Sequence, residues 1–383
     1  MRGRGMCKMK RKSICILPNR LIIGGIEKVL IDALWALHEK YDIEIVLFVD
    51  EPCQAIIDNI PPDVKVTIRE LPESKFLRFC SNIPYLSKFY FNKALGDKFY
   101  DYLIVLRSSI IQACFSNKAK YKIYWSHNDF YQEYIVPQLS FKMRIKKHIL
   151  KMIYKKYDMV WTVSKTIEDE IRNGLSLKNI YALANPVNCA GILNRAEEKC
   201  DFIFDKAKTN IVMLGRISKE KGFHRVLRFM CSEVFARYPN THLYIIGDGY
   251  MKEAYKKRIQ EYGLEDKISF LGEKANPYPY LRQAQLLVCP STNESFGLAI
   301  MEAMLLKIPV ITTDTVGGRY TTQDGKYGRC VENNDAALQK AVEEFLDATS
   351  AYEYSLGDAQ RWAYQHDIEI FGEKILNLLK DCT

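Results

Sequence analysis

Short runs of branched apolar residues alternate along this chain with segments whose apolar positions recur every three or four residues. Ser13–Leu17 reads as a first strand, and a loop ending in Gly24-Gly25 follows it. From Ile26 to about Lys40, Val29, Leu30, Ala33, Leu34 and Leu37 fall on one helical face. Ile43–Val49, Tyr102–Leu106, Lys122–Trp125 and Met159–Val163 are further strand-like runs separated by helical stretches. Alternation of this kind predicts a parallel sheet covered on both faces. Asn185-Pro186-Val187-Asn188 interrupts it, and the polar stretch Asn194–Lys208 reads as a linker.

The pattern then restarts. Asn210–Leu214, His242–Ile246, Ile268–Leu271, Gln285–Cys289 and Pro309–Thr312 read as strands. The helices between them are expected at Phe223–Tyr238, Met251–Tyr262, Pro277–Ala284 and Leu298–Leu306. The fold class expected is therefore α/β, with two doubly wound domains at 1–188 and 189–358. Ligands in such sheets lie beyond the carboxyl ends of the strands, and with two domains the natural site is the cleft between them. A last helix, about Ala359–Lys380, has no partner that periodicity alone identifies.

Composition narrows the class further. The chain has 383 residues, of which 48% are hydrophobic and 26% charged, so collagen, coiled coil and wholesale disorder are excluded. No apolar window of about 18 residues is present, and the basic start is followed by too short an apolar run for a secretory signal. A cytoplasmic location is expected. The eleven cysteines are scattered singly, which argues against zinc and against a disulfide framework. The net charge of +9 is unevenly placed. Residues 1–200 hold 32 Lys and Arg against 21 Asp and Glu, whereas residues 201–383 hold 23 against 25. The basic excess belongs to the first half and suggests phosphates, an anionic membrane or an acidic glycan as its partner.

Three segments carry candidate chemistry. The stretch from Pro290 to Met304 follows a buried strand and opens a helix, so the amides of Phe296, Gly297 and Leu298 are first-turn donors, a ready anion site. Glu294 and Ser295 precede that turn, and Glu302 lies about one turn inside. The two carboxylates suit hydroxyls on either side of a bound phosphate; a capping acid and a helix-surface acid are the alternative. In Leu214-Gly215-Arg216-Ile217-Ser218-Lys219-Glu220-Lys221-Gly222, Arg216 and Lys221 flank a helix start. They can neutralise a diphosphate or be simply solvated. Gly247-Asp248-Gly249 has Lys252 where a dinucleotide fingerprint needs glycine, which disfavours nicotinamide and flavin.

Together these residues resemble glycosyltransferase family 4, the retaining enzymes of GT-B architecture in the wider glycosyl transferases group 1. Gly-Arg-x(4)-Lys-Gly, Gly-Asp-Gly and Glu-x(7)-Glu occur in that family's order over about 205–320. Gly24-Gly25-x-Glu27-Lys28, His127 in Trp125-Ser126-His127-Asn128, and Asn185-Pro186-Val187 extend the likeness into the first half. The resemblance implies two Rossmann-like domains facing each other across a cleft, with the final helix 359–383 crossing back to the first. It implies that Arg216 and Lys221 hold the donor diphosphate and Glu302 the ribose. Glu294 would hold the transferred sugar, His127 would reach that sugar's far hydroxyls, and Gly24-Gly25 would lie against donor phosphate and acceptor. Gly247, Ser295, Phe296, Gly297 and Leu298 complete the implied donor-binding set. Arg319-Tyr320-Thr321-Thr322 stands where the family often carries an acid.

The implied reaction is retaining hexosyl transfer from a nucleotide diphosphate sugar, a UDP-sugar favoured, to a glycan or lipid-linked acceptor in surface polysaccharide, capsule or lipopolysaccharide biosynthesis. No cofactor and no metal is expected. The sequence has no Asp-x-Asp, and Glu168-Asp169-Glu170 follows Ser164-Lys165-Thr166, a helix start where acids are favoured. The competing readings are a non-catalytic glycosyltransferase-like subunit and a GT-B phosphorylase or epimerase. The segment Phe141–Tyr157 interleaves Lys142, Arg144, Lys146, Lys147, Lys151, Lys155 and Lys156 with apolar residues. It reads either as a helix lying on an anionic bilayer or as one packed on the sheet with a solvated lysine face. The N-terminal arm with Arg2, Arg4, Lys8, Lys10, Arg11 and Lys12 adds to surface attraction. A peripheral position on the inner membrane face is expected, and no nucleic-acid module accompanies the charge.

Overall fold

A computed structural model describes residues 11–18, 21, 24–48, 52–69, 91–93, 95–106, 113–127, 141–347 and 355–380. The chain divides into two compact units, Met1–Leu183 with Gly372–Thr383, and Ala184–Phe371. Most of the basic N-terminal arm lies outside the described residues.

The first unit is built on seven parallel strands: β1 (Ser13–Leu17), β2 (Asp42–Leu47), β3 (Lys65–Ile68), β4 (Tyr100–Leu106), β5 (Ala119–Ser126), β6 (Met159–Thr162) and β7 (Ile180–Ala182). They are ordered β3-β2-β1-β4-β5-β6-β7. The strand order reverses between β1 and β4, where Ile14 pairs with Tyr102. Ile14, Cys15, Ile16 and Leu17 are all buried, as expected of a strand covered on both faces, and this explains the unbroken apolar run. On β2, Glu44 is a buried charge. Burial opposes its charge, but bonds from Lys98, Thr67 and Tyr100 hold its carboxyl down at about 2. The acids that imitate a metal motif begin the helix Lys165–Leu175, whose N-cap Ser164 accepts from Ile167 N–H. Glu168 is spent there on Lys165, Arg172 and the Ala182 amide.

The second unit holds six parallel strands: β8 (Thr209–Leu214), β9 (Thr241–Ile246), β10 (Ile268–Gly272), β11 (Leu286–Cys289), β12 (Val310–Thr313) and β13 (Arg329–Val331). Their order is β10-β9-β8-β11-β12-β13, with the reversal between β8 and β11. Ile211, Met213, Leu243, Ile245, Leu286 and Val288 from the sheet pack with Val226, Leu227 and Met230 of the helix Phe223–Met230.

Two expectations need correction. The stretch read as a linker begins inside a helix, Cys189–Ala196, capped by the Asn188 side chain. Beyond it the Phe204 ring stacks on Tyr244 at 3.7 Å, and Phe204 N–H donates to Gln283. Apolar residues scattered among charges thus anchor a packed segment. The single final helix is two, Leu356–Tyr364 and Ile368–Lys380. They are parted because His366 and Asp367 turn their backbone to Val187, which bridges Asp367 and donates to His366 O at 2.8 Å. The first of the two helices belongs to the second unit, where Gln360 bonds the Leu305 carbonyl and Trp362 the Thr321 carbonyl. Only from Gly372 onward does the chain rejoin the first unit.

Candidate active site

In open parallel sheets ligands collect where the strand order reverses, because the loops on either side leave in opposite directions. In the second unit that point lies between β8 and β11, and their loops carry the residues singled out from the sequence. After β8, Gly215 N–H donates to Ile246 O at 3.0 Å and Ile217 N–H to Asp248 O at 2.8 Å. This lays Gly215-Arg216 along Gly247-Asp248-Gly249. Gly247 has φ +141°, and a Cβ there would stand 2.0 Å from Gly215 O, so only glycine fits.

The β8 loop continues through a 3₁₀ turn, Lys219–Lys221, to Gly222 at φ +67°. A Cβ at Gly222 would meet Pro290 O at 1.9 Å. The β8 and β11 loops are therefore in backbone contact, and polar bonds reinforce the join. Thr292 N–H donates to Glu220 O at 2.8 Å. Arg225 holds the Pro290 carbonyl at 3.3 Å and Asn333 Oδ1 at 2.7 Å while pairing with Asp335 at 3.1 Å.

This join brings two of the predicted residues together. Lys221 Nζ lies 2.6 Å from Glu294 Oε2, with 30% and 14% of their side chains exposed. Burial works against the ammonium, but the facing Glu294 carboxylate outweighs it and raises the Lys221 pKa. Ser291 Oγ is 3.4 Å from the same carboxylate oxygen. Arg216 is exposed and forms no ion pair among the described residues, so its guanidinium is available to a ligand. Gly297, at φ +89°, precedes the helix Leu298–Leu305 and accepts from Ile300 N–H at 3.0 Å. Ser295 and Leu298 are half-buried, Phe296 is buried, and Glu302 is buried one turn into the helix.

Behind this loop stands Val316–Thr322, a helix capped by the Thr315 side chain. Gly317 N–H donates to Glu294 O at 2.7 Å, and a Cβ at Gly317 would lie 2.6 Å from Phe296 N. The supporting contacts of Arg225, Asn333 and Gly317 escaped the sequence reading. Only the glycine pair Gly317-Gly318 offered a signal.

The remaining predicted residues belong to the first unit. Gly24 is the extended N-cap of the helix Gly25–Leu37 and accepts from Lys28 N–H at 3.1 Å. His127 follows β5 directly, its ring 4.8 Å from that of Trp125. Both stand at the carboxyl edge of their sheet. The basic helix Phe141–Tyr154 turns Ile145, Ile149 and Met152 outward, 46%, 48% and 58% exposed, on one stripe beside exposed Arg144, His148 and Lys155. Tyr154 and Tyr157 are buried and anchor its end. No helix among the described residues is long and apolar enough to cross a membrane.

Residues 194–364 match the family described as Glycosyl transferases group 1. The chain is 25% identical over 341 residues to a Campylobacter jejuni enzyme, N-acetylgalactosamine-N,N'-diacetylbacillosaminyl-diphospho-undecaprenol 4-alpha-N-acetylgalactosaminyltransferase, covering 85% of this chain and 87% of that one. It is 28% identical over 137 residues to the lipopolysaccharide core biosynthesis glycosyltransferase LpsE of Rhizobium meliloti, which is 36% of this chain and 39% of LpsE. Among solved structures, Anabaena Alr3699/HepE in complex with UDP and glucose superposes with a TM-score of 0.73 at 17% identity, over 97% of this chain and all of that one. The fold is the two-domain Rossmann-like α/β fold of GT-B glycosyltransferases.

Proposed function

We propose that this chain is a retaining glycosyltransferase of family 4 type. It moves a hexosyl unit from a nucleoside diphosphate sugar, with a uridine nucleotide favoured, to a glycan or lipid-linked acceptor of a surface polysaccharide. The observation that carries the reading is the Lys221–Glu294 pair, 2.6 Å apart at the strand reversal beside a helix N-terminus. One cation there serves a diphosphate, and one carboxylate serves hydroxyls. The names of the relatives support the acceptor class: a diphospho-undecaprenol-linked substrate in one, lipopolysaccharide core in another.

In this reading Arg216, Lys221 and the amides of Phe296, Gly297 and Leu298, which lead into the helix that starts at Leu298, stabilise charge developing on the leaving diphosphate. Gly247 lets the β8 loop approach the nucleotide, and Ser295 lies beside the phosphates. Glu302 binds the ribose. Glu294 orients the transferred sugar together with His127, and Gly24-Gly25 serves the acceptor side. The departing diphosphate itself takes the acceptor proton on the same face, so the protein supplies positioning and charge rather than a metal. The exposed stripe Ile145, Ile149 and Met152 among cations supports work at an anionic membrane surface. Incubating the chain with a panel of nucleoside diphosphate sugars tests the reading. Release of the nucleoside diphosphate is expected; binding without release would favour a non-catalytic subunit.

A further inference from the structure

The loop that carries Glu294 is held from behind by residues with no role in the chemistry. The ring of buried Phe296 lies 5.5 Å from that of Tyr320 and 5.9 Å from that of His366. Tyr320 Oη is 2.9 Å from His366 Nε2, and His366 Nδ1 is 3.2 Å from the Trp362 carbonyl oxygen. A carbonyl only accepts, so Nδ1 carries a proton; in the neutral ring Nε2 then accepts, and the Tyr320 hydroxyl donates. Burial pushes the Tyr320 phenol up to about 12, so it keeps that proton.

His366 is itself pinned. Its carbonyl accepts Val187 N–H at 2.8 Å, and the neighbouring Asp367 Oδ2 accepts Cys189 N–H at 3.2 Å. These bonds tie together the two stretches by which the chain passes between its units, just after Leu183 and just before Gly372. The residues around Tyr320 are otherwise engaged. Arg319 pairs with Asp314 at 3.2 Å, and the Thr321 and Thr322 hydroxyls bond the Gly317 and Gly318 carbonyls at 2.7 Å each.

We propose that Tyr320 and His366 are positioning residues of the donor site: their hydrogen bond fixes Phe296, and through it the Ser295–Leu298 amides, in the geometry that binds a nucleoside diphosphate. The inference rests on the donor-site reading above and gives a function to Arg319-Tyr320-Thr321-Thr322, the segment that departs from the family's pattern. Removing the hydroxyl deletes the Tyr320 bond to a histidine only 4% exposed, beside the Phe296 ring.

Calorimetric binding of uridine, guanosine, adenosine and thymidine diphosphates to the full chain, below its melting midpoint, tests this. Tyr320→Phe and His366→Ala should each weaken binding of the preferred nucleotide about five- to twentyfold. The double variant should be no weaker than the worse single one, since the Tyr320–His366 bond is lost in either. His366→Gln, which keeps an acceptor, should stay within about threefold of wild type; it also decides the matter alongside Tyr320→Phe should His366→Ala not fold. Affinities within twofold of wild type in Tyr320→Phe, additive losses, or a His366→Gln variant as weak as His366→Ala overturn the inference alone. A wild-type chain that binds none of the four nucleotides overturns the donor-site reading with it.

Discussion

Lys221 and Glu294 come from loops 73 residues apart and meet at 2.6 Å. The meeting depends on Gly222 and Pro290, whose backbones touch, so the pair is assembled by the fold rather than by local sequence. The cation proposed for the diphosphate and the carboxylate proposed for the sugar are thus ion-paired with each other. A bound diphosphate therefore competes with Glu294 for Lys221.

The two substitutions should separate accordingly. Lys221→Ala and Glu294→Ala are each expected to reduce transfer by at least about 100-fold, the scale of losing one charge-stabilising group. Their effects on uridine diphosphate affinity should differ in sign. Lys221→Ala weakens it, whereas Glu294→Ala leaves it at or above the wild-type value by releasing the lysine. Near-wild-type turnover in either variant contradicts the assignment.

Glycine substitutions test the loop join. Gly222→Ala must displace Pro290 O, 1.9 Å from the added carbon, and should abolish donor binding. Gly263, at φ +61° with nothing within 4 Å, is the control. Alanine there should cost only about 1 kcal/mol of stability and leave turnover intact. Chemical denaturation and a turnover assay on both variants decide the point.

The strands of high apolar content, β1, β2, β4 and β8, were legible because both faces are covered, and within their apolar runs only Glu44 of β2 intervenes. The short edge strands β3, β7 and β13 were not, since Lys65–Ile68, Ile180–Ala182 and Arg329–Val331 are too brief and too mixed to show a period. In the candidate site, the motif glycines and charged residues announced themselves. The Arg225 clasp on Pro290 and the Tyr320–His366 bond did not, because each joins residues at least 46 positions apart through side chains that look ordinary in sequence.

Acid should loosen the second unit before the first. Burial lowers the pKa of His242 from 6.5 to about 4. The unfolded chain therefore takes up that proton first, and stability is full above pH 6.5 and falls as the pH drops toward 4. The loss is at most about 3 kcal/mol. Glu44 in the first unit, held at about 2, contributes stability that is lost only as the pH falls from 4.5 toward 2. Thermal midpoints measured between pH 7 and 4 should fall for wild type and flatten in His242→Gln; an unchanged slope contradicts the prediction.

The outward stripe of the Phe141–Tyr154 helix predicts salt-sensitive binding to anionic liposomes. Each cation near such a surface contributes about 1 kcal/mol, and salt screens it. Replacing Lys146, Lys147, Lys151 and Lys155 with Gln should reduce sedimentation with liposomes at low salt, and Ile149→Ser with Met152→Ser should reduce what remains at high salt. Donor hydrolysis should be unchanged in both. A wild-type chain that ignores anionic liposomes at low salt rejects the membrane surface as a partner.

The most direct test of the account is nucleoside diphosphate release from a panel of nucleoside diphosphate sugars, in the presence and absence of a divalent-metal chelator. Release from at least one sugar nucleotide is expected, retained under chelation and reduced at least about 100-fold in Lys221→Ala. Absence of release and of binding with every sugar nucleotide, or release that Lys221→Ala leaves untouched, would contradict it.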